Sequence, residues 1–322
     1  QLTLKSDITL AGAGQAQTRL VHSGEKPHCF IRMKEATGVE IRDMTLDGAN
    51  SPKAQQGIIG SKCSALYLHH LTIRDFVDTG AFGPHAIICS GTSHSVYSDN
   101  TFLNMAPDDP WGAGIRVSEP CTGNRILRNI IHNTGRGGIF TNNGATDVVI
   151  SENIITGSHG IAFAIEVHSR SVRTVVEDNI VDHGLSIVSA NCAVRRNTVI
   201  DPTGTWESYG IEGGGGPHGV VTDNIIDYGQ GQGISLSGAS HYMLWTRNRF
   251  TNCSQWGIQL QGPAKDKIRC LYFYDNTFSK AKRGHPSARY PGHDGHAIRF
   301  NGHTEYVVFD SNRITDNAGL GI

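Results

Sequence analysis

Two strings decide the fold: Ser151-Glu152-Asn153-Ile154-Ile155 and Thr222-Asp223-Asn224-Ile225-Ile226. Each places an Asn between a polar residue and a β-branched pair. The same arrangement recurs along most of the chain, with Asn at 100, 129, 153, 179, 197, 224, 248, 276 and 312. The spacings are 29, 24, 26, 18, 27, 24, 28 and 36 residues. A second motif keeps step with it. Ile recurs at 87, 115, 139, 165, 187, 211, 234, 258 and 298, usually after Gly or Ala. A recurring motif at spacings of this size is the mark of a solenoid, in which each repeat is one supersecondary unit stacked on the next.

Within one period there are three short apolar runs. One is centred on the Gly-Ile motif, one precedes the Asn (Val148-Val149-Ile150), and one follows it (Ile154-Ile155). Short β-branched runs bounded by Gly, Asn, Asp or Ser read as strands. No 3.6-residue periodicity appears, so helices are not expected. The fold expected is therefore all-β: a single-stranded parallel β-helix with three short strands per coil and about 11–12 coils. The Asn suits the left-handed conformation of a sharp bend, and its amide can bond to the Asn one coil away. Residues 1–322 read as a single domain, with loop insertions near 104–113, 201–209 and 279–296.

Composition narrows the function classes. A formal net charge of −1 offers no field for nucleic acid, and no apolar run is long enough to span a membrane. The start Gln1-Leu2-Thr3-Leu4-Lys5 already reads as a strand, without initiator Met or signal peptide, which suits a mature or trimmed chain. The seven Cys have no zinc-ligand spacing and an odd count; they read as small buried residues rather than a disulfide framework. His293, Asp294 and His296 are the nearest approach to a metal cluster. No cofactor and no metal are expected, with calcium near Asp108 and Asp109 as the open alternative.

The repeat resembles the pectate-lyase-like right-handed parallel β-helix superfamily, which includes polysaccharide lyases, β-helical glycoside hydrolases, alginate epimerases and phage tailspikes. The strings from Leu4 to Gly14 and from Ile41 to Gly48 are similar to the first coils of that superfamily. The resemblance implies a carbohydrate ligand, polysaccharide or oligosaccharide, and a secreted, extracellular or periplasmic setting. It also admits a homotrimer. Alginate epimerases carry Asp-Pro-His-Glu on an early coil. The comparable string here, Gly83-Pro84-His85-Ala86-Ile87, lacks the acids, which argues against that activity.

The three insertions all fall between the post-Asn strand and the Gly-Ile strand, so the Gly-Ile sheet is the expected functional face. Side chains alternate along a strand. With Ile165 and Val167 inward, Glu166 and His168 point out. The same register puts Arg116, Asn142, Glu212, Gln259 and Arg299 on that face, and Val188 and Ala190 on the rung between the two acids. Two rungs separate Glu166 from Glu212, a backbone distance of about 9–10 Å at ~4.8 Å per rung. That separation suits inverting glycoside hydrolysis, with Glu212 as acid, Glu166 as base and His168 positioning water or substrate. Arg116, Asn142, Trp206, Glu207, Tyr209, Gln259 and Arg299 are the expected substrate-binding residues. Trp111, Trp206, Trp256 and Tyr209 precede rungs and could stack on sugar rings. Two readings stay open beside hydrolysis. One is a polysaccharide lyase acting on a uronate polymer through His168 and the Arg residues. The other is a non-catalytic glycan-binding tailspike or adhesin, on which the outward Glu and His would be merely solvated.

Overall fold

The computed structural model describes residues 1–79, 83–109, 111–158, 163–168, 170–200, 209–213, 217–227, 231–237, 240–265, 267–283 and 295–321. The described residues hold strands and no helix, as the short β-branched runs require. The chain clusters into two compact units, Gln1–Thr174 and Val175–Ile322. Both are parallel β-helical. Each period supplies the three strands expected of it. In one repeat of the first unit they are His85–Ser90, Val96–Ser98 and Thr101–Met105.

In the first unit the Gly-Ile strands stack in strict register. Ile58, Ile87, Ile115, Ile139 and Ile165 lie above one another, all fully buried. In the second unit Leu185, Ile211, Ile234, Ile258 and Ile298 do the same. Burying such a side chain is worth about 1.5–3 kcal/mol, so each column is a substantial part of the apolar stabilisation of its unit. The Gly before the Ile is a packing requirement. A Cβ on Gly138 would sit 2.5 Å from the Ile155 side chain, and one on Gly210 would sit 2.5 Å from Ile226.

The corner between the pre-Asn and post-Asn strands is closed by the Asn column. In the first unit Asn100 and Asn129 each donate a side-chain N–H to the amide oxygen of the next Asn, at 3.0 and 2.9 Å. The same oxygens also accept the backbone N–H groups of Asn100 and Asn129. In the second unit the column runs unbroken through Asn179, Asn197, Asn224, Asn248, Asn276 and Asn312 at 2.8–3.0 Å. The left-handed residue is not the Asn itself, as expected from the sequence, but the one before it: Asp99, Arg128, Glu152, Asp178, Arg196, Asp223, Arg247 and Asp275 all have φ between 52° and 59°. The reason is geometric. The Asn needs its backbone N–H and side chain aimed inward at the next coil, so the reversal of direction falls on its neighbour. That neighbour points outward, and its charge alternates between rungs. Arg128 pairs with Asp99, Arg196 with Asp178 and Arg247 with Asp223, each through two hydrogen bonds.

All seven cysteines are free thiols, and all but Cys270 are buried. Burial pushes the Cys89 thiol up to about 12, and the Cys121 thiol is raised for the same reason.

Two outcomes follow from this packing. Asn129→Ala strips the acceptor from two buried donors of Asn100, at about 1–3 kcal/mol each, and should lower unfolding free energy by roughly 3 kcal/mol or more. A denaturant midpoint unchanged from wild type would contradict the structural role of the column. A thiol-reactive dye should label Cys270 alone in the native chain, and the remaining cysteines only after unfolding.

Candidate functional site

In the first unit the outward row of the Gly-Ile sheet reads Ile88, Arg116, Phe140 and Glu166 on successive rungs. The alternation therefore holds as expected. The row is nevertheless not a bare solvated face, since Glu166 is only 6% exposed and Phe140 only 4%. Arg136, from the connector ahead of the strand Gly137–Asn142, covers Glu166. Its Nε donates to Oε1 at 3.1 Å and its Nη2 to Oε2 at 3.2 Å. The guanidinium lies 4.6 Å from the Trp111 ring centre and 5.4 Å from that of Phe140. Its backbone N–H donates to Gly112 at 2.7 Å, and the Trp111 N–H donates to Asp109 at 2.7 Å. An ion pair with both ends held this way escapes the entropic loss that makes surface pairs weak.

Arg116 is half-buried on the rung beside Phe140. Burial lowers its pKa first, the positive charge of Arg136 lowers it further, and Glu166 acts in the opposite sense. His85, on the preceding rung, is wholly buried, with Nδ1 3.1 Å from Gln56 Oε1. Burial, then the charge of Arg116, brings its pKa down to about 3, so it is neutral at pH 7. Asp109 is raised by burial and, after it, by the charge of Asp78. The next outward row holds Ser90, Ser118 and Asn142. The Asn142 amide oxygen is buried without a hydrogen-bond partner. His168, two residues past Glu166, is exposed.

In the second unit Glu212 is half-buried between Ser186 and Ser235. Ser186 donates to its Oε2 at 2.5 Å. This corrects the expectation that Val188 and Ala190 flank the acid. Leu185, not Ile187, stacks on Ile211, because the shortest coil reaches its rung two residues early. Beyond Ser235 lie Gln259 and then Arg299. Gln259 is buried and accepts from Gln261 at 2.6 Å. Arg299 stands 4.3 Å over the Trp256 ring. Trp256 is 2% exposed, so it is a core residue capped by an arginine and not a platform for sugar. Tyr209 is half-buried at the start of the Glu212 strand. Trp206 and Glu207 lie outside the described residues, as do His293 and Asp294.

Sequence reasoning missed Arg136, His85, and the Asp182–His183 contact at 2.9 Å. For Arg136 a signal existed. It is the lone charge in Gly135-Arg136-Gly137-Gly138, directly ahead of a rung.

With this geometry in hand, comparison with known proteins places the chain. Two overlapping stretches, 112–287 and 176–322, match the family described as periplasmic copper-binding protein (NosD). The chain belongs to the NosD family. Residues 22–181 also match the right handed beta helix region family. No curated protein matches the chain by sequence. Among solved structures, a double mutant of the periplasmic alginate epimerase AlgG aligns with a TM-score of 0.60 at 11% identity, covering 94% of this chain and 76% of that one. An exopolygalacturonase from Thermotoga maritima aligns at 0.52 and 11% identity, covering 95% and 80%. The catalytic unit of a GH87 α-1,3-glucanase from Streptomyces thermodiastaticus aligns at 0.55 and 15% identity, covering 96% and 60%. At such identities the likeness is one of fold: the pectate-lyase-like right-handed parallel β-helix.

The NosD description raises copper, which needs His, Cys or Met donors that converge. Among the described residues no group of three or more His, Cys, Asp or Glu does so. All the thiols but Cys270 are buried, and burial raises the pKa of Cys89 and Cys121. His69 spends one ring nitrogen on Glu40 at 3.0 Å and the other on His70 at 2.7 Å. The described residues do not fit a copper site.

The buried His85 gives the site a pH signature. The unfolded chain takes up a proton near 6.5, whereas folded His85 does so only near 3. The stability it contributes is thus complete above pH 6.5 and is lost as pH falls through that window. Comparing denaturant midpoints from pH 7 to pH 4, wild type should lose up to about 1.4 kcal/mol per pH unit more than His85→Gln. Parallel pH profiles would contradict the buried neutral imidazole.

Proposed function

We propose that this NosD-family chain is a carbohydrate-active enzyme that cleaves a glycosidic linkage in a polysaccharide or oligosaccharide. The outer face of the Gly-Ile sheet is its working surface, and hydrolysis is its reaction. The observation that carries this reading is a braced carboxylate on the outer face of that sheet in each unit. Glu166 is locked by the Trp111–Arg136–Phe140 stack and Glu212 is held by Ser186. Rigid, partly desolvated polar groups in a defined row are what sugar positioning requires. The names of the β-helical neighbours, an epimerase of alginate, an exopolygalacturonase and a glucanase, add support from the same fold. The periplasm named for the family and for the epimerase is the setting that goes with it.

In the hydrolytic scheme, which rests on the spacing of the two acids in the sequence, Glu212 gives its proton to the leaving glycosidic oxygen. Glu166 takes a proton from the water that attacks the anomeric carbon, with inversion. Glu166 must exchange one of its two Arg136 bonds to do so, which makes Arg136 part of the cycle. His168 orients the water or the sugar. Arg116, Asn142, Tyr209, Gln259 and Arg299 contact substrate.

The test begins with a panel of polysaccharides and a reducing-end assay. On a substrate that wild type cleaves, Glu212→Gln and Glu166→Gln should each lower kcat by about 100-fold or more, the order expected for loss of an acid or base. Full turnover in both variants would remove these residues from the chemistry. An ultraviolet-absorbing unsaturated end would replace hydrolysis with β-elimination, and binding without turnover would replace the enzyme with an adhesin.

A further inference from the structure

We infer that the outer face of the second unit binds a neutral sugar through its hydroxyl groups, on Gln232, Ser235 and Glu212, and disfavours an acidic one. This rests on the carbohydrate reading above and narrows its substrate class.

The grounds are oxygen atoms that no protein donor serves. Gln232 opens the strand Gln232–Ser237, opposite Tyr209. It is 8% exposed, and its amide oxygen has no hydrogen-bond partner among the described residues. Its Nε2 donates to Gln255 Oε1 at 3.5 Å, which leaves the oxygen turned away from Gln255. The strand bends just after it. A Cβ on Gly233 would meet Cys253 Sγ at 2.9 Å and the Phe250 ring at 3.0 Å, so Gly233 faces the core, as Ile234 does. Gln232, one residue earlier, therefore points outward, on the side of Ser235. Ser235 is buried beside Glu212 on the adjoining rung. One Glu212 oxygen accepts from the Ser186 hydroxyl, and the other has no donor among the described residues. A buried acceptor left unpaired is costly, and a ligand that brings a donor removes that cost.

Sugar hydroxyls are such donors. A carboxylate on the sugar is not. As the catalytic acid, Glu212 must keep its proton for the glycosidic oxygen, and a uronate would divert it. Ionised, Glu212 repels the same group. The cations at hand do not offset this. Arg299 lies past Ser235 and Gln259, three rungs from Glu212, with its guanidinium over Trp256. At ~4.8 Å per rung that is about 14 Å, beyond the Debye length of about 8 Å at physiological salt. His183 gives its Nδ1 to Asp182. From Gln232 to Ser235 the strand advances by about 10 Å, so the acceptors span more than one pyranose ring.

Calorimetric titration of the full chain tests this with paired probes: gluco-, manno- and galacto-oligosaccharides and the corresponding uronate oligosaccharides. Wild type should bind a neutral member at least tenfold more tightly than its uronate counterpart. Gln232→Leu should weaken binding of that neutral ligand about tenfold, the scale of one lost hydrogen bond. Ser235→Ala should weaken it severalfold, and Glu212→Gln should narrow the gap between neutral and acidic ligands. Thermal melting of each variant separates lost binding from lost fold, and if Gln232→Leu melts early, Ser235→Ala carries the test. Tighter binding of a uronate by wild type, or unchanged neutral affinity in the folded variants, overturns the inference and leaves the carbohydrate reading standing. Tighter binding of a chitosan oligosaccharide than of its N-acetylated form would make the donor an ammonium and overturn the neutral assignment. No binding by any of these saccharides overturns both.

Discussion

The hydrogen bond from one asparagine amide to the next is the constraint on which each unit depends. A parallel β-helix must turn a corner several times per coil, and every corner interrupts the backbone ladder. A buried corner would otherwise strand donors and acceptors, at about 1–3 kcal/mol for each group left unpaired. The Asn column removes that cost. Each amide oxygen accepts two N–H groups from the coil before, and each side-chain nitrogen donates onward and to a strand carbonyl of the preceding coil, as Asn129 does to Tyr97 at 3.0 Å. The column also fixes register, because a slip of one residue would break every rung at once.

Register is what makes an outer face usable. Once the Ile column is set, every other residue of the strand must point away from the core, and the same outward position repeats on each rung. Arg116, Phe140 and Glu166 are neighbours for that reason alone. What turns the row into a site is the side chain that folds over it. Arg136 converts a solvated Glu into a buried, bidentate partner. In the second unit a short hydroxyl bond from Ser186 does the smaller job of holding Glu212.

The fold was legible because its determinants are periodic and local. Asn153 and Ile165 each announce a coil, and β-branched runs between turn residues announce strands. The outward placement of Arg116, Asn142, Glu166 and Glu212 followed from alternation. What was not legible depends on chain geometry between periodic points. The coil of 18 residues shows only a spacing in sequence, and its short corner is what puts Ser186 rather than Val188 beside Glu212. The left-handed residue is the one before Asn153, since the Asn must keep its own amide aimed at the next coil. Arg136 acts through a long side chain reaching from one coil onto the next, which no alternation rule covers. Trp256 reads as a sugar platform from its place before a rung, yet its size fills the core.

The central claim is that the outer face of the Gly-Ile sheet is where a carbohydrate is handled. A crystal structure of the chain with a bound oligosaccharide tests it most directly. The account predicts sugar density on that face, with a ring near Trp111 and Asn142. Sugar seated instead against the strands that flank the Asn column, with the Arg116–Glu166 row left bare, would contradict it.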